Sequence, residues 1–342
     1  MNDRASAMEQ ATKSAQEWVR DLAKYRDPCV RRSTFELAVT VVPFLALWGL
    51  AWAALSVSYW LAFAIAAVNS AFLVRLFCIQ HDCGHASFYN NRKVQDWVGR
   101  CLGVLTLTPY AVWKRTHALH HAQHGNLDMR GIGDVMTLTV EEYRARGWFG
   151  RLQYRLYRHP LVLFVLGPIY LFILQNRIPL GLMKSWQYWW SAMGTNLMIA
   201  LIIGTLIWFG GLAPVLLIYL PTSVLAGAIG IWLFYVQHQF ETTHWSTSEE
   251  WQLHEAALNG SSHYVLPRPL NWLSANIGIH HVHHLYSRIP FYRLPEVLRD
   301  HIELAEAQRL TFMDSLRSVN IHLWDEKLGR LMSFREARRL YG

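Results

Sequence analysis

The chain has 342 residues, of which 52% are hydrophobic and only 16% charged, with a formal net charge of +8. So small a charged fraction excludes an ordinary soluble domain, and the apolar content excludes a disordered chain. The basic residues are scattered and no nucleic-acid reader motif accompanies them, so the positive charge does not point to nucleic acid.

The segment 1–36 is mostly polar and carries no cleavable signal pattern. Within it Trp18, Val19, Leu22 and Tyr25 either form one face of an interfacial helix or belong to a solvated tail. Leu37 to Val74 then contains no Asp, Glu, Lys or Arg, and neither does Ser185 to Phe240. A spanning helix needs about 20 mostly apolar residues, so each stretch holds two spans. Ser56-Val57-Ser58 is the hinge in the first stretch, and Gly210-Gly211 with Pro214 breaks the second. The four spans are predicted at 37–55, 58–77, 188–209 and 213–236. They form two hairpins in an all-α membrane bundle over 37–240.

Neither hinge carries Lys or Arg. Seven lie in 1–35, one is Arg75, 13 lie in 79–184 and 11 follow Phe240. The positive-inside rule therefore places both termini and the loop 78–187 in the cytoplasm, of a bacterial inner membrane on this reading. Anionic lipid headgroups follow as a contact. Two shorter apolar segments, Trp97–Trp113 and Leu161–Gln175, are interrupted by glycine and proline and are predicted to be interfacial or re-entrant. Trp48, Trp52, Trp60, Trp186, Trp189 and Trp190 are expected to form aromatic belts at the membrane boundary. The cytoplasmic region 241–342 is a mixed polar segment with helix-like runs near 295–307 and 311–319. Cys29, Cys78, Cys83 and Cys101 all fall on the cytoplasmic side, where thiols stay reduced, and no disulfide is expected.

Eight histidines in three clusters carry the chemistry. The first is HDCGH, with His81 and His85; the second is HALHH, with His117, His120 and His121; the third is HHVHH, with His280, His283 and His284. On a helix, residues three and four apart share a face, so each cluster aims its imidazoles along one stripe. The clusters form a cytoplasmic helical cap holding a di-metal site. His281 points about 100° from His280 and is left out. His238 closes the fourth span and is added, because an imidazole at the end of an apolar span is costly without a partner.

Neutral imidazole suits zinc, iron, copper and nickel alike. A single structural zinc needs four ligands, and nine candidates imply two metals. Second-sphere partners that orient the rings are sought in Asp82, Asp128, Glu241, His124 and Asn276. Asn276 lies four residues before His280 and is a candidate to hold a metal-bound water. His124 returns to the stripe of His117, as an outer partner or as a surface residue.

These motifs resemble those of the membrane fatty acid desaturases, most closely the omega-6 (delta-12) type and its bacterial relatives. The likeness extends through HDCGHASFY from His81, GNLD from Gly125, YVQHQFE from Tyr235 and NIGIHHVHHLYSRIPFYRLPEVL from Asn276. It covers about 75–298. His244, in TTHW, departs from the less basic residue the pattern leads one to expect. The resemblance implies an enzyme with two iron ions, ligated by the eight cluster histidines and His238, that inserts a cis double bond into an acyl chain. The substrate would be an acyl-lipid, acyl-CoA or acyl-carrier protein, with O2 as the oxidant. No HPGG, flavin or nicotinamide motif is present, so the electrons are expected from an external ferredoxin or cytochrome b5, steered by arginines.

Two alternatives are carried. A lipid hydroxylase or acetylenase would use the same scaffold. A membrane metal transporter would place ionisable residues inside the spans, where the two long apolar stretches have none.

Overall fold

The computed structural model describes residues 13–131 and 133–342. The chain is mostly helical. α1 (Ala15–Leu22) precedes the first hairpin, α2 (Val30–Ala54) and α3 (Tyr59–Gly84). α4 (Arg92–Leu105) and α5 (Tyr110–Gln123) follow, then α6 (Val140–Ala145) and α7 (Trp148–Tyr157). The second hairpin pairs α8 (Trp186–Gly210) with α9 (Leu220–His238), which is led by a wide helical turn at Val215–Tyr219. The C-terminal region holds α10 (Leu253–Asn259), α11 (Arg268–Leu273), α12 (His280–Leu285), α13 (Leu294–Asp300), α14 (Ile302–Glu306), α15 (Phe312–Ser318) and α16 (Phe334–Tyr341). Short strands tie this region together. β1 (Leu138–Thr139) runs parallel to β4 (Leu323–Asp325), β4 is antiparallel to β5 (Arg330–Met332), and β2 (His263–Tyr264) is parallel to β3 (Arg309–Leu310).

Four helices are long and apolar enough to cross a membrane: Val30–Ala54, Tyr59–Gly84, Trp186–Gly210 and Val215–His238. Both hinges stand where the sequence puts them. Ser58 caps α3 by accepting from the Leu61 amide at 3.4 Å, and Gly211 ends α8 at φ +65°, a conformation that costs glycine little. Each hairpin returns to its starting side. The ends of α3 and α9 therefore lie with the N-terminal segment, the 85–185 connection and the C-terminal region at one end of the bundle.

α3 is the central span, with 56% of its apolar window buried against 17–28% for the other three. It also runs a further two turns beyond residue 77, so the first histidine cluster continues the same helix. The segments Val162–Leu166 and Ile169–Leu174 form wide helical turns bent by 58° from α7.

Three expectations are corrected here. Trp18, Leu22 and Tyr25 belong neither to a solvated tail nor to a membrane-surface face. They are buried against Val282, Leu285, Leu294 and Val297, so α1 packs on the third histidine cluster. Trp60, Trp186 and Trp190 are exposed as a belt requires, but Trp48 and Trp52 pack between the two hairpins with Ala51, Ala66 and Ile218. Asn276 is not on the helix of His280: α12 starts at His280, while Asn276 sits in a turn at φ +54° and donates to the Phe291 carbonyl at 3.3 Å.

Arg75 does not mark the water boundary. Its side chain is buried and pairs with Glu36 of α2. Its Nε donates to Thr40 Oγ1 at 3.1 Å and its Nη1 to the Trp272 carbonyl in the last turn of α11. Arg32 reaches the other oxygen of Glu36 at 2.7 Å. One buried guanidinium thus joins the first hairpin to the segment that leads into the third histidine cluster. Removing one partner of such a pair costs about 3–5 kcal/mol, mostly from the charge left unpaired. Arg75→Leu should lower the thermal midpoint in detergent by on the order of 10 °C, and Arg75→Leu with Glu36→Gln by clearly less. Equal losses in a thermal scan of the two variants would remove the ion pair as the cause.

Candidate metal centre

Four elements bring the histidines together. His81 and His85 come from the end of α3, His117, His120 and His121 from α5, His238 from the last residue of α9, and His280, His283 and His284 from α12. The last helix is six residues long and is held at its entry by a backbone clasp, where the Tyr264 amide donates to the Gly278 carbonyl at 2.7 Å. Only glycine allows this approach, because a Cβ at 278 would stand 2.5 Å from the Tyr264 oxygen.

The nine rings form two groups. His81, His85, His117, His121 and His283 make one; His120, His238, His280 and His284 make the other. Within each group one nitrogen per ring lies within 4.8 Å of all the others. The motifs therefore do not correspond to the groups. α5 sends His117 and His121, four residues apart, to one group and His120 to the other. α12 sends His283 to the first and His280 and His284 to the second. The stacked rings of His121 and His284, 4.0 Å apart, join the two.

The nitrogens meet at their Nε2 atoms. In the first group the separations are 2.9 Å for His85–His117, 3.2 Å for His117–His121 and 3.2 Å for His121–His283. In the second they are 3.0 Å for His238–His280, 3.0 Å for His280–His284 and 3.3 Å for His120–His284. Ligands bound at about 2.1 Å stand roughly 3.0 Å apart at octahedral angles and roughly 3.4 Å at tetrahedral ones, and the observed separations match such edges. The buried His81 ring has no hydrogen-bond partner at either nitrogen. Burial and neighbouring imidazoles push His117, His121, His280, His283 and His284 well below their ordinary pKa. They are neutral at pH 7, with lone pairs available. Two groups of neutral nitrogen donors fit two borderline metal ions.

The surrounding residues sort the outer-sphere candidates. Asp82 accepts from the Phe291 amide at 2.7 Å and lies 3.5 Å from His81 Nδ1. It ties the first cluster to the chain after the third. Glu241 is exposed and Asp128 accepts from the Ser248 amide, so neither faces the rings. His124 is buried rather than on the surface. Its ring lies 4.2 Å from that of His238, and its Nε2 donates to the Gly260 carbonyl at 2.8 Å. His281 is turned away and donates to the Leu304 carbonyl at 2.8 Å. His244 is exposed and hydrogen-bonds Ser246.

Sequence spacing missed Asp134. Its carboxylate accepts from His120 Nδ1 at 2.5 Å while His120 Nε2 faces His284. Fourteen residues and a loop separate the pair, so no helical periodicity signals it. Trp113, one turn before His117, stacks on that ring at 4.7 Å.

A cavity of about 340 Å³ reaches the rings from within the bundle. α3 lines it with Leu73, Val74, Phe77 and Cys78, and α9 with Ala226, Gly227, Gly230, Leu233 and Phe234. It ends at His81, His117 and His280, so it touches both groups.

The family model described as fatty acid desaturase matches residues 57–315, three quarters of the chain. The chain belongs to the fatty acid desaturase family. It is 40% identical over 322 residues to a fatty acid desaturase of Bacillus subtilis (strain 168), covering 94% of this chain and 91% of that one. An sn-1 oleoyl-lipid 12-desaturase of Arthrospira platensis is 25% identical, covering 75% of this chain and 73% of the relative. A chloroplastic sn-2 acyl-lipid omega-3 desaturase (ferredoxin) of Helianthus annuus is 28% identical over 72% of this chain and 57% of its own length. The enzyme is thus a desaturase with a histidine-rich site able to bind metal.

A carboxylate behind a ligating histidine fixes its tautomer, and its loss typically costs 10–100-fold in metal affinity. Asp134→Asn should therefore weaken retention of bound transition metal by about that factor in a chelator competition followed by elemental analysis. His120→Ala should lose the second metal while retaining the first. A full metal complement in both variants would remove His120 and Asp134 from the centre.

Proposed function

We propose that this desaturase holds two iron ions, one in each histidine group, and inserts a cis double bond into the acyl chain of a membrane lipid. The observation that carries the reading is the apolar cavity that ends on ligands of both groups. It gives a chain of methylenes a path from the bundle to the rings. His81, His85, His117, His121 and His283 would ligate one iron, and His120, His238, His280 and His284 the other. Asp134 holds the His120 ring in place, and Asp82 ties the end of α3 to the Phe291 amide. The irons supply hydrogen abstraction from unactivated carbon, which no side chain can perform. Two hydrogens leave adjacent carbons, and with O2, two electrons and two protons the products are the alkene and two waters.

The protein's own part is positioning and exclusion of water. Phe77, Leu233 and Phe234 present hydrocarbon to the chain, and the neutral imidazoles add no charge that would draw water in. Trp113 fixes the His117 ring by stacking. The electrons come from an external carrier. A ferredoxin is favoured, since relatives carry that word in their names, with cytochrome b5 as the second class. Relatives whose names give a bond position are 25–28% identical and divide between 12- and omega-3 types. The omega-6 (delta-12) assignment accordingly rests on the motif likeness alone.

Expression with a ferredoxin donor in a bacterium that makes only saturated and monounsaturated lipids should yield a new cis-unsaturated species. Mass spectrometry of derivatised lipids reads the bond position. A new hydroxy or acetylenic lipid instead would move the chain to the alternative reading. Gly230 lines the cavity with open space beside it. Gly230→Trp should therefore abolish product or shift it to shorter chains while leaving bound iron unchanged. Unaltered products in that variant would detach the cavity from the substrate.

The charge asymmetry supports a cytoplasmic metal site with both termini on that side. Cys29 and Cys101 are exposed at that end of the bundle. An impermeant maleimide added to intact spheroplasts should label a cysteine introduced by Ser56→Cys and reach Cys29 and Cys101 only after permeabilisation. The reverse pattern would invert the topology.

A further inference from the structure

Away from the histidine cage, a second cavity of about 370 Å³ lies between α7, the turn after it and α16. Arg155, Arg158, Arg335 and Arg338 line it together with His159 and His322, and among the described residues no carboxylate does. The acidic side chains nearest in sequence are already taken. Glu142 pairs with Arg130 at 2.6 Å, Glu336 with Arg330 at 2.5 Å, and Asp325 accepts from Tyr341 at 2.6 Å. Four guanidinium groups around one hollow repel one another unless an anion joins them.

Two of the lining groups are built in rather than splayed on the surface. Arg158 is 1% exposed. Its Nη atoms donate to Gln239 Oε1 at 2.9 Å, the Ile321 carbonyl at 3.0 Å and the Met136 carbonyl at 3.2 Å, while its Nε has no partner among the described residues. The His322 ring stacks on Phe334 at 4.3 Å, and its buried Nδ1 is also without a partner. Arg155 is steadied by Tyr143, which accepts from its Nε at 2.6 Å. Arg335 and Arg338 project from one side of α16 and are exposed.

The position of the cavity selects the anion. α7 exposes Trp148, Phe149, Leu152 and Leu156 and carries Arg151 and Arg155 on the same short helix. That pairing of apolar and basic faces is the pattern of a helix lying at the headgroup level. The chain then enters the apolar turns at 162–174 directly. The hollow therefore opens at the depth where lipid phosphates sit. Guanidinium recognises phosphate through paired N–H donors.

We propose that the cavity between α7 and α16 binds the phosphate of an anionic membrane lipid. Purified, metal-loaded full chain in neutral detergent is titrated with dioctanoyl-phosphatidylglycerol, dioctanoyl-phosphatidylcholine and inorganic phosphate, with binding followed by calorimetry. Saturable binding of the anionic lipid is expected, with much weaker binding of the other two. One basic residue near a lipid surface contributes about fivefold in affinity, so Arg335→Gln with Arg338→Gln should weaken binding on the order of 20-fold. Arg339→Gln, on the same helix but outside the lining, should leave it unchanged. Both changes are on exposed side chains, and a thermal scan without lipid verifies the fold. Equal affinity in the double variant, or equal loss in the Arg339 variant, would overturn the site. Phosphate as tight as phosphatidylglycerol would make it a free-anion site, and phosphatidylcholine as tight would reduce it to apolar adsorption. Either result overturns the proposal.

Discussion

Nine imidazoles converge in two groups, with Nε2 atoms of neighbouring rings as little as 2.9 Å apart, and the rest of the structure answers to that demand. Flexible loops could not hold lone pair against lone pair at such distances. Nitrogens that close repel or compete for protons unless a cation lies between them. The rings therefore sit on helix ends and short helices, and contacts outside the cage brace some of them. Asp134 holds His120, Trp113 backs His117, and Asp82 joins the α3 cluster to the Phe291 amide. Charge on the rings would defeat the arrangement, and burial disfavours it at His117, His121, His280, His283 and His284.

The polar contacts buried beneath the cage serve the same end. Arg75 and Glu36 lock α2 to α3 and, through the Trp272 carbonyl, to the approach to α12. Arg158 locks the end of α9 through Tyr235 and Gln239, one residue past His238, to the C-terminal region. Each guanidinium is buried and donates through its Nη atoms to long-range partners. Together they fix the ends of the two helices that emerge from the membrane bundle carrying ligands. A buried charge contributes little net stability, so their value here is in fixing one geometry.

The sequence disclosed the spans, both hinges and the histidines, because those depend on composition and local spacing. Leu37–Val74 has no charge to interrupt a span, and Gly211 must end a helix wherever it is placed at positive φ. The division of the clusters between two groups was not legible. His120 and His121 are adjacent, and only the neighbouring helices decide which way each ring faces. Asp134 was hidden for the same reason, since its partner is across a loop. Asn276 was misplaced because the helical spacing was extended back through a turn that the chain makes before His280. Trp18, Leu22 and Tyr25 did show the right periodicity. What covers an amphipathic face is a tertiary fact, and here it is the back of α12.

α3 links the two halves of the chemistry. Leu73, Val74, Phe77, Cys78 and His81 occupy successive turns and line one cavity, so the helix face that lines the apolar cavity is also the face that brings His81 into the histidine cluster. Any rotation or slide of α3 would move the chain-binding wall and the metal site together. Such coupling suits a reaction in which two particular carbons must be presented to the metals, because a displacement of about 1 Å can cost a hundredfold in rate. It also explains why this span is the most buried of the four and why Arg75 is clamped rather than free. The fixed relation between slot and cage makes the depth of the cavity a ruler. On the proposed function, the carbon that reaches His81, His117 and His280 would be set by the depth of the cavity between α3 and α9.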